Sequence, residues 1–240
     1  MARRSGRGPR RQPKHVGRNR PRHETDTRRR RRRKGPDDVR DEILELGGGR
    51  GARYHDQLMK AADAFARDHE RDALRLLRPL RDALPDSPSV RELLGLTQYR
   101  LGHYPAATKE LEAFVNLTGS VEQHPVLMDS YRAQRRWRKV DERWRELTAA
   151  SPGADLVTEG RIVAAGALAD QGKLDEAIKV LERAPGNPKR ILPHHLRLWY
   201  ALADLHERAG DIPSARALFR KISTQDPAFV DVAERLAALS

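Results

Sequence analysis

From about Tyr54 onward the chain keeps returning to one pattern of small, bulky and turn-forming residues at intervals of about 34 positions, and this rhythm restricts the fold more than any single residue does. The fullest copy is the last: Trp199, Leu202-Ala203, Gly210, Ala215, Phe219 and Pro227. The same spacing picks out Leu94-Gly95, Tyr99, Gly102, Tyr104, Ala107 and Leu111, and again Ala164-Ala165, Leu168, Gly172, Leu174, Ala177 and Leu181. Between them Leu127-Met128, Tyr131, Trp137, Val140, Trp144, Leu147 and Pro152 fill matching positions, with Arg135 where a turn glycine is expected. Near the start, Ala61, Ala64, Ala73, Leu77, Leu80 and Pro85 complete a further copy. Five units therefore begin near Tyr54, Pro88, Val121, Thr158 and Leu196.

Each copy reads as two helices joined by a tight turn. Gly95, Ala107, Ala165, Ala177, Ala203 and Ala215 let two helices approach closely, while Leu111, Trp144, Leu181 and Phe219 fill the space between them. Gly102, Gly172 and Gly210 suit the left-handed backbone that ends a first helix, and Pro85, Pro152 and Pro227 stop second helices. No unit can bury its own apolar face, so all five must stack, with Phe229, Val232, Leu236 and Leu239 on a helix that closes the far end. On these residues the body resembles the tetratricopeptide repeat family, over residues 54–229, and its Ala, Leu, Gly and Arg richness is similar to that of small repeat proteins of high-GC Gram-positive bacteria. The resemblance implies an all-α solenoid. The organisation expected is a disordered Arg-rich arm at 1–36, a short helix and Gly-rich linker at 37–53, five repeats at 54–229 and a capping helix at 230–240.

Departures from the pattern matter as much as matches. The slot filled by Trp199 in the last unit holds Gln57, Arg91, His124 and Arg161 in the others, and Lys60 stands where an apolar residue is expected. Tetratricopeptide proteins are interaction scaffolds whose opening helices line a concave groove for a peptide or partner segment. The resemblance places Leu58, Phe65, Leu96, Tyr99, Arg132, Tyr200 and Asp204 in that groove, with Ala62, Glu92, Asp129, Ile162 and Glu207 beside them. Phe65, Tyr99 and Tyr200 are the aromatic anchors such a groove would offer. The family's best-known groove grips a terminal carboxylate with a Lys, Asn and Arg set, which this sequence lacks. A second candidate surface is Arg132, Arg135, Arg136, Arg138, Lys139, Arg143 and Arg145 around Trp137 and Trp144, a basic stretch in which Arg138 with Glu142 and Asp141 with Arg145 stand at helical pairing distance.

Net charge is +13, and its location is the informative part. Residues 1–36 hold 16 Lys and Arg against Glu24 and Asp26, a net +14; residues 37–240 hold 31 against 32, a net −1. Arg3, Arg4, Arg7, Arg10, Arg11, Arg18, Arg20 and Arg22 lead to the unbroken run Arg28, Arg29, Arg30, Arg31, Arg32, Arg33 and Lys34. A segment this polar cannot offset roughly 1–2 kcal/mol per residue of backbone entropy, so disorder is expected. Closely spaced guanidinium groups neutralise phosphates without needing a fold, and they stack on unpaired bases, which favours RNA or a ribonucleoprotein as partner. An acidic protein partner, an anionic membrane surface, or nuclear import in a eukaryotic host are the competing readings. Next, Val39, Ile43 and Leu46 share one helical face behind an acidic first turn, and Gly47 to Gly51 reads as a flexible joint.

Other chemistry finds little support. Without cysteine there is no disulfide, thiolate metal site or thiol catalysis. None of the nine histidines sits in a His-Glu-x-x-His frame, and His194-His195 reads as a loop pair. Gly166 to Lys173 imitates a phosphate loop, but five residues separate the glycines and Leu174 replaces the hydroxyl residue. No cofactor, metal or catalytic residue is expected. Absence of an apolar run after Met1 speaks against a signal peptide, and no stretch is apolar enough to span a bilayer, so cytoplasmic residence is expected. Oligomeric state leaves no mark in the sequence.

Overall fold

A computed structural model describes residues 36–184, 188 and 190–239. The Arg-rich arm, with every cation from Arg3 to Lys34, lies outside them. Among the described residues the rhythm becomes five helix pairs: α2 (Gly51–Ala66) with α3 (Glu70–Ala83), α4 (Pro88–Arg100) with α5 (Tyr104–Thr118), α6 (His124–Ala133) with α7 (Trp137–Ala150), α8 (Ala154–Asp170) with α9 (Leu174–Glu182), and α10 (Pro193–Arg208) with α11 (Ile212–Gln225). Flanking them are α1 (Pro36–Gly47) and α12 (Val232–Ala238). Successive opening helices pack on one another from α2 through α4, α6 and α8 to α10, and each second helix lies between the opening helices of its own and the next unit. The opening helices are thus the inner row of an all-α solenoid.

One turn joins both helices of every unit. Asp68, Gly102, Arg135, Gly172 and Gly210 have φ of 58°, 73°, 56°, 79° and 82°. The next residue in each case, from His69 to Asp211, donates its N–H to the carbonyl five residues back, at 2.9–3.0 Å. Backbone satisfaction at the helix end dictates this turn, so it forms with Asp68 and Arg135 even though a left-handed backbone costs such residues about 1–2 kcal/mol. Apolar packing then follows the pattern: Leu77, Leu94, Leu111, Leu127, Leu147, Leu181 and Phe219 are all buried. Gly95 is a close-approach site, since a Cβ there would meet the side chain of buried Leu111 at 2.7 Å. The one strongly buried carboxylate among the described residues, Glu110, accepts from Arg81 at 3.1 Å and also from Arg91, so its charge is paired twice between the first two units.

Both ends differ from expectation. Gly47 to Gly51 is not a loose joint: a 3₁₀ turn at Gly48–Arg50 runs directly into α2, which starts at Gly51 rather than near Tyr54. Gly51 is buried, and a Cβ there would stand 2.8 Å from Leu44 Cα, so this glycine lets the α1 backbone rest on α2. Ile43 is fully buried, and Glu42 accepts from Ser87 Oγ, from Ser89 Oγ at 2.7 Å and from Ser89 N–H at 3.1 Å, which ties α1 to the start of α4. At the other end α12 begins only at Val232, after a turn through Asp226 to Asp231.

If the turn geometry is imposed on Arg135, relieving it must stabilise the chain. Arg135→Gly should gain about 0.5–1 kcal/mol once the larger unfolded-state entropy of glycine is subtracted, raising the melting temperature by about 1–4 °C. Gly102→Ala, whose Cβ would meet no atom within 4 Å, should lose a similar amount purely through φ. Thermal unfolding of the two variants checks both signs.

Candidate functional site

The polar residues found in the Trp199 slot have a common job. Gln57 Nε2 donates to Leu76 O at 2.8 Å, Arg91 binds Glu110, His124 Nε2 meets Glu146 Oε2 at 2.9 Å, and Arg161 donates to Val180 O at 3.0 Å. Every one reaches from an opening helix to the second helix of its own unit, 19 to 22 residues on. In the last unit Trp199 does the same through Lys221, whose Nζ lies 3.7 Å from its ring centroid. The slot is a crossbar position. Polar side chains serve because the opposite helix supplies a carbonyl or carboxylate.

A second row of bonds runs along the inner face from unit to unit. Arg100 lies 3.8 Å over the Phe65 ring and donates to Phe65 O and Asp68, each at 3.0 Å. Tyr99 OH donates to Asp129 at 2.7 Å and Gln123 to Glu92 at 2.7 Å. Arg132 then reaches Asp170 at 2.7 and 3.3 Å and Asp129 at 3.4 Å, and Arg197 meets Glu159 at 2.6 Å. At the last step Tyr200 OH donates to Asp231 at 2.6 Å, while Arg235 of α12 binds Asp204 at 3.0 Å and Glu207 at 2.8 Å. Burial and the Asp129 hydrogen bond push the Tyr99 hydroxyl well above its usual range, and burial with Asp231 pushes Tyr200 up to about 12. Both stay protonated donors.

This row settles where the sequence-derived groove residues lie. Phe65, Tyr99, Arg132, Tyr200 and Asp204 sit on the inner face, each already engaged with the next unit or with the terminal segment, so a ligand there would have to displace an existing contact. Leu58 is 3% exposed and belongs to the core of the first unit, a correction that follows from α2 being rotated to bury Leu58 and Ala61 together. Leu96 is half-buried on the same inner row. The partners Arg100, Asp170, Glu159, Arg197 and Arg235 escape the repeat pattern, because they fall 28 to 38 residues from their mates and no single spacing finds them.

Gly166 acquires a role as well. It lies inside α8, and a Cβ there would stand 2.7 Å from an Arg132 guanidinium nitrogen, so the glycine is the floor on which Arg132 lies while reaching Asp170. That contact, and the helical course of 166–170, separates it from a phosphate loop. His194 and His195 are in the first turn of α10 and not in a loop; their ring centroids are 4.1 Å apart, and His195 Nδ1 accepts the Leu192 N–H at 2.9 Å. Among the described residues no group of three or more His, Asp or Glu side chains is placed to hold a metal ion, and no helix is long and apolar enough to cross a membrane.

On α7 the expected pairs do not form. Glu142 binds Lys139 at 2.7 Å instead of Arg138, and Arg143 binds Glu146 at 2.7 Å, both at i,i+3. Arg135, Arg138 and Arg145 are exposed and make no ion pair among the described residues.

A stack of helix pairs with an inner row of opening helices and no enclosed polar centre among the described residues defines a repeat scaffold. Residues 162–228 match the tetratricopeptide repeat family, and the fold of the described residues is that of tetratricopeptide repeat proteins. It is similar to a thermophilic tetratricopeptide protein of Thermus thermophilus, at 22% identity and TM-score 0.58 over 78% of this chain and 98% of that one. Similar folds are those of the MamA protein, at 16% identity and TM-score 0.53 over 80% and 93%, and of Pseudomonas aeruginosa pilF, at 14% identity and TM-score 0.53 over 86% and 90%. No curated protein matches the sequence.

The inner and crossbar bonds can each be tested by substitution. Gly166→Ala should leave overall stability nearly unchanged, because about 1 kcal/mol of helix propensity offsets a displaced Arg132. In that background the Arg132–Asp170 coupling, about 0.5–1 kcal/mol in a double-mutant cycle, should fall close to zero. His124 is 1% exposed, its Nδ1 has no partner, and burial lowers its pKa against the opposing pull of Glu146. The unfolded chain therefore takes up this proton first, from about pH 6.5, so the stability His124 confers is complete above that pH and fades as pH falls toward the lower folded value. Urea midpoints of the parent chain should drop between about pH 7.5 and 5 more steeply than those of His124→Gln.

Proposed function

We propose that the chain is a non-catalytic adaptor: the solenoid recruits a protein segment along its inner row, and residues 1–36 hold RNA or a ribonucleoprotein. The observation that carries this reading is the charge division, +14 in the first 36 residues against −1 in the rest. A near-neutral body, with its inner-row cations already paired, has little general attraction for polyanions. The arm has that attraction without needing a fold. Its expected compartment is the cytoplasm.

Deleting residues 1–36 should abolish salt-sensitive RNA binding and leave the helical spectrum of the rest intact. If the arm makes about 6 to 10 phosphate contacts, the affinity of the full chain should fall by about 10³–10⁵ between 50 and 200 mM salt. Undiminished binding by the truncated body would overturn the assignment. A pulldown with and without nuclease separates the alternative, an adaptor whose arm meets an acidic protein or an anionic membrane, since those partners survive nuclease.

A further inference from the structure

The most complete ligand-shaped site among the described residues is occupied by the chain itself. The guanidinium of Arg235 donates through Nε to Glu207 at 3.0 Å and through a terminal nitrogen to Glu207 at 2.8 Å and Asp204 at 3.0 Å. Its Cζ lies 5.1 Å from the Phe219 ring centroid and 6.0 Å from that of Tyr200. Two carboxylates and two ring faces around one guanidinium form a receptor for arginine. Its occupant is a short terminal helix, held by Arg235, by the Tyr200 to Asp231 bond at 2.6 Å and by Leu236 and Leu239 packed on the last core cluster. Helix α12 has seven residues and only Val232 fully buried. The residue before Asp231, Val230, is 71% exposed at φ 50°, a backbone region that a β-branched side chain rarely adopts, so closure of α12 carries strain. Tyr200 to Asp231 and Asp204 to Arg235 are each 31 residues apart, within the 30 to 38 residues that separate the unit-to-unit bonds of the inner row. Thus α12 stands in for the opening helix of a next unit.

We propose that the Asp204–Glu207–Tyr200–Phe219 surface is a binding site for an arginine-bearing amphipathic helix of a partner protein, plugged in cis by α12. The partner helix carries an apolar residue three positions before its arginine and another directly after it, as Val232 and Leu236 flank Arg235. This rests on the scaffold reading alone; RNA binding by the arm neither supports nor weakens it.

The test uses the full chain and a fluorescent peptide of residues 227–240. In the Arg235→Glu chain, where the cis plug is repelled by Asp204 and Glu207, the peptide should bind saturably, and a peptide with alanine at the arginine position should bind at least about tenfold more weakly. The unsubstituted chain should bind the parent peptide less well, and Val230→Gly, which relieves the closed state, about fivefold less well again. Equal affinity for the two peptides, or no saturation at about 1 mM, would overturn the proposal. Hydrogen exchange of the unsubstituted chain gives a check that needs no variant: α12 amides should exchange faster than those of α11, and equal protection would count against a displaceable plug.

Discussion

The joint between the two helices of a unit is the constraint on which the rest depends. A solenoid has no contacts between distant parts of the chain, so its stability is a sum of local joints and each must be satisfied where it stands. Here the joint is made the same way five times, by a left-handed turn closed with a bond to the fifth carbonyl back and by one crossbar from the opening to the second helix. The crossbars at Gln57, Arg91, His124 and Arg161 end on a carbonyl or carboxylate, so each has a partner across its own unit, while the Nδ1 of buried His124 stays unpaired. Trp199 fills the same space with more apolar area and meets Lys221 through its ring face. A polar crossbar adds direction, because its hydrogen bond requires a particular acceptor on the second helix to face the opening one.

The bonds from unit to unit decide what the inner face offers. Because the carboxylates and cations there are engaged in the ladder from Phe65–Arg100 to Asp204–Arg235, the face is near charge balance and half-covered. A partner must compete with existing bonds, not fill empty ones, and its recognition is then set by the ability to replace a given rung. The cationic excess of the chain lies apart from this face, with +14 in residues 1–36 and −1 in the rest, so the charge balance of the ladder is a property of the solenoid alone.

Much of the fold was legible because its causes are local. Gly102, Gly172 and Gly210 announce their turns by residue type, and the repeat spacing of Leu111, Leu181 and Phe219 reports their burial. Asp68 and Arg135 adopt the same turn with no chemical signature, since the hydrogen bonds of the helix end, not the side chain, choose it. Gly51 misled because a glycine among glycines reads as freedom, whereas its missing Cβ is what Leu44 of α1 packs against. The inner ladder was hidden for another reason. Phe65, Glu92, Tyr99, Asp129, Arg132, Tyr200, Asp204 and Glu207 were recognised singly as groove residues, but most of their mates were not, because a pair such as Arg132 with Asp170 depends on where two helices cross and on the bare Gly166 between them. Leu58 was misplaced by the same limit, because the rotation of α2 is a tertiary fact.

The two flanking helices cover opposite sides of the repeat stack with different charges. Any solenoid unit presents on one side the surface that its next neighbour would cover, so identical ends invite copies to add indefinitely. Val39, Glu42 and Ile43 in α1 have the spacing of Val232, Arg235 and Leu236 in α12, with opposite charge at the middle position. Glu42 suits the Ser87 and Ser89 donors at the start of α4, and Arg235 suits Asp204 and Glu207 on α10. Exchanging them would set Glu42 against two carboxylates, a like-charge contact whose repulsion outweighs the matching apolar spacing. The flanking helices therefore do more than cover apolar surface: Glu42 and Arg235 each fit the groups they meet, and the carboxylates around Arg235 would penalise a glutamate there.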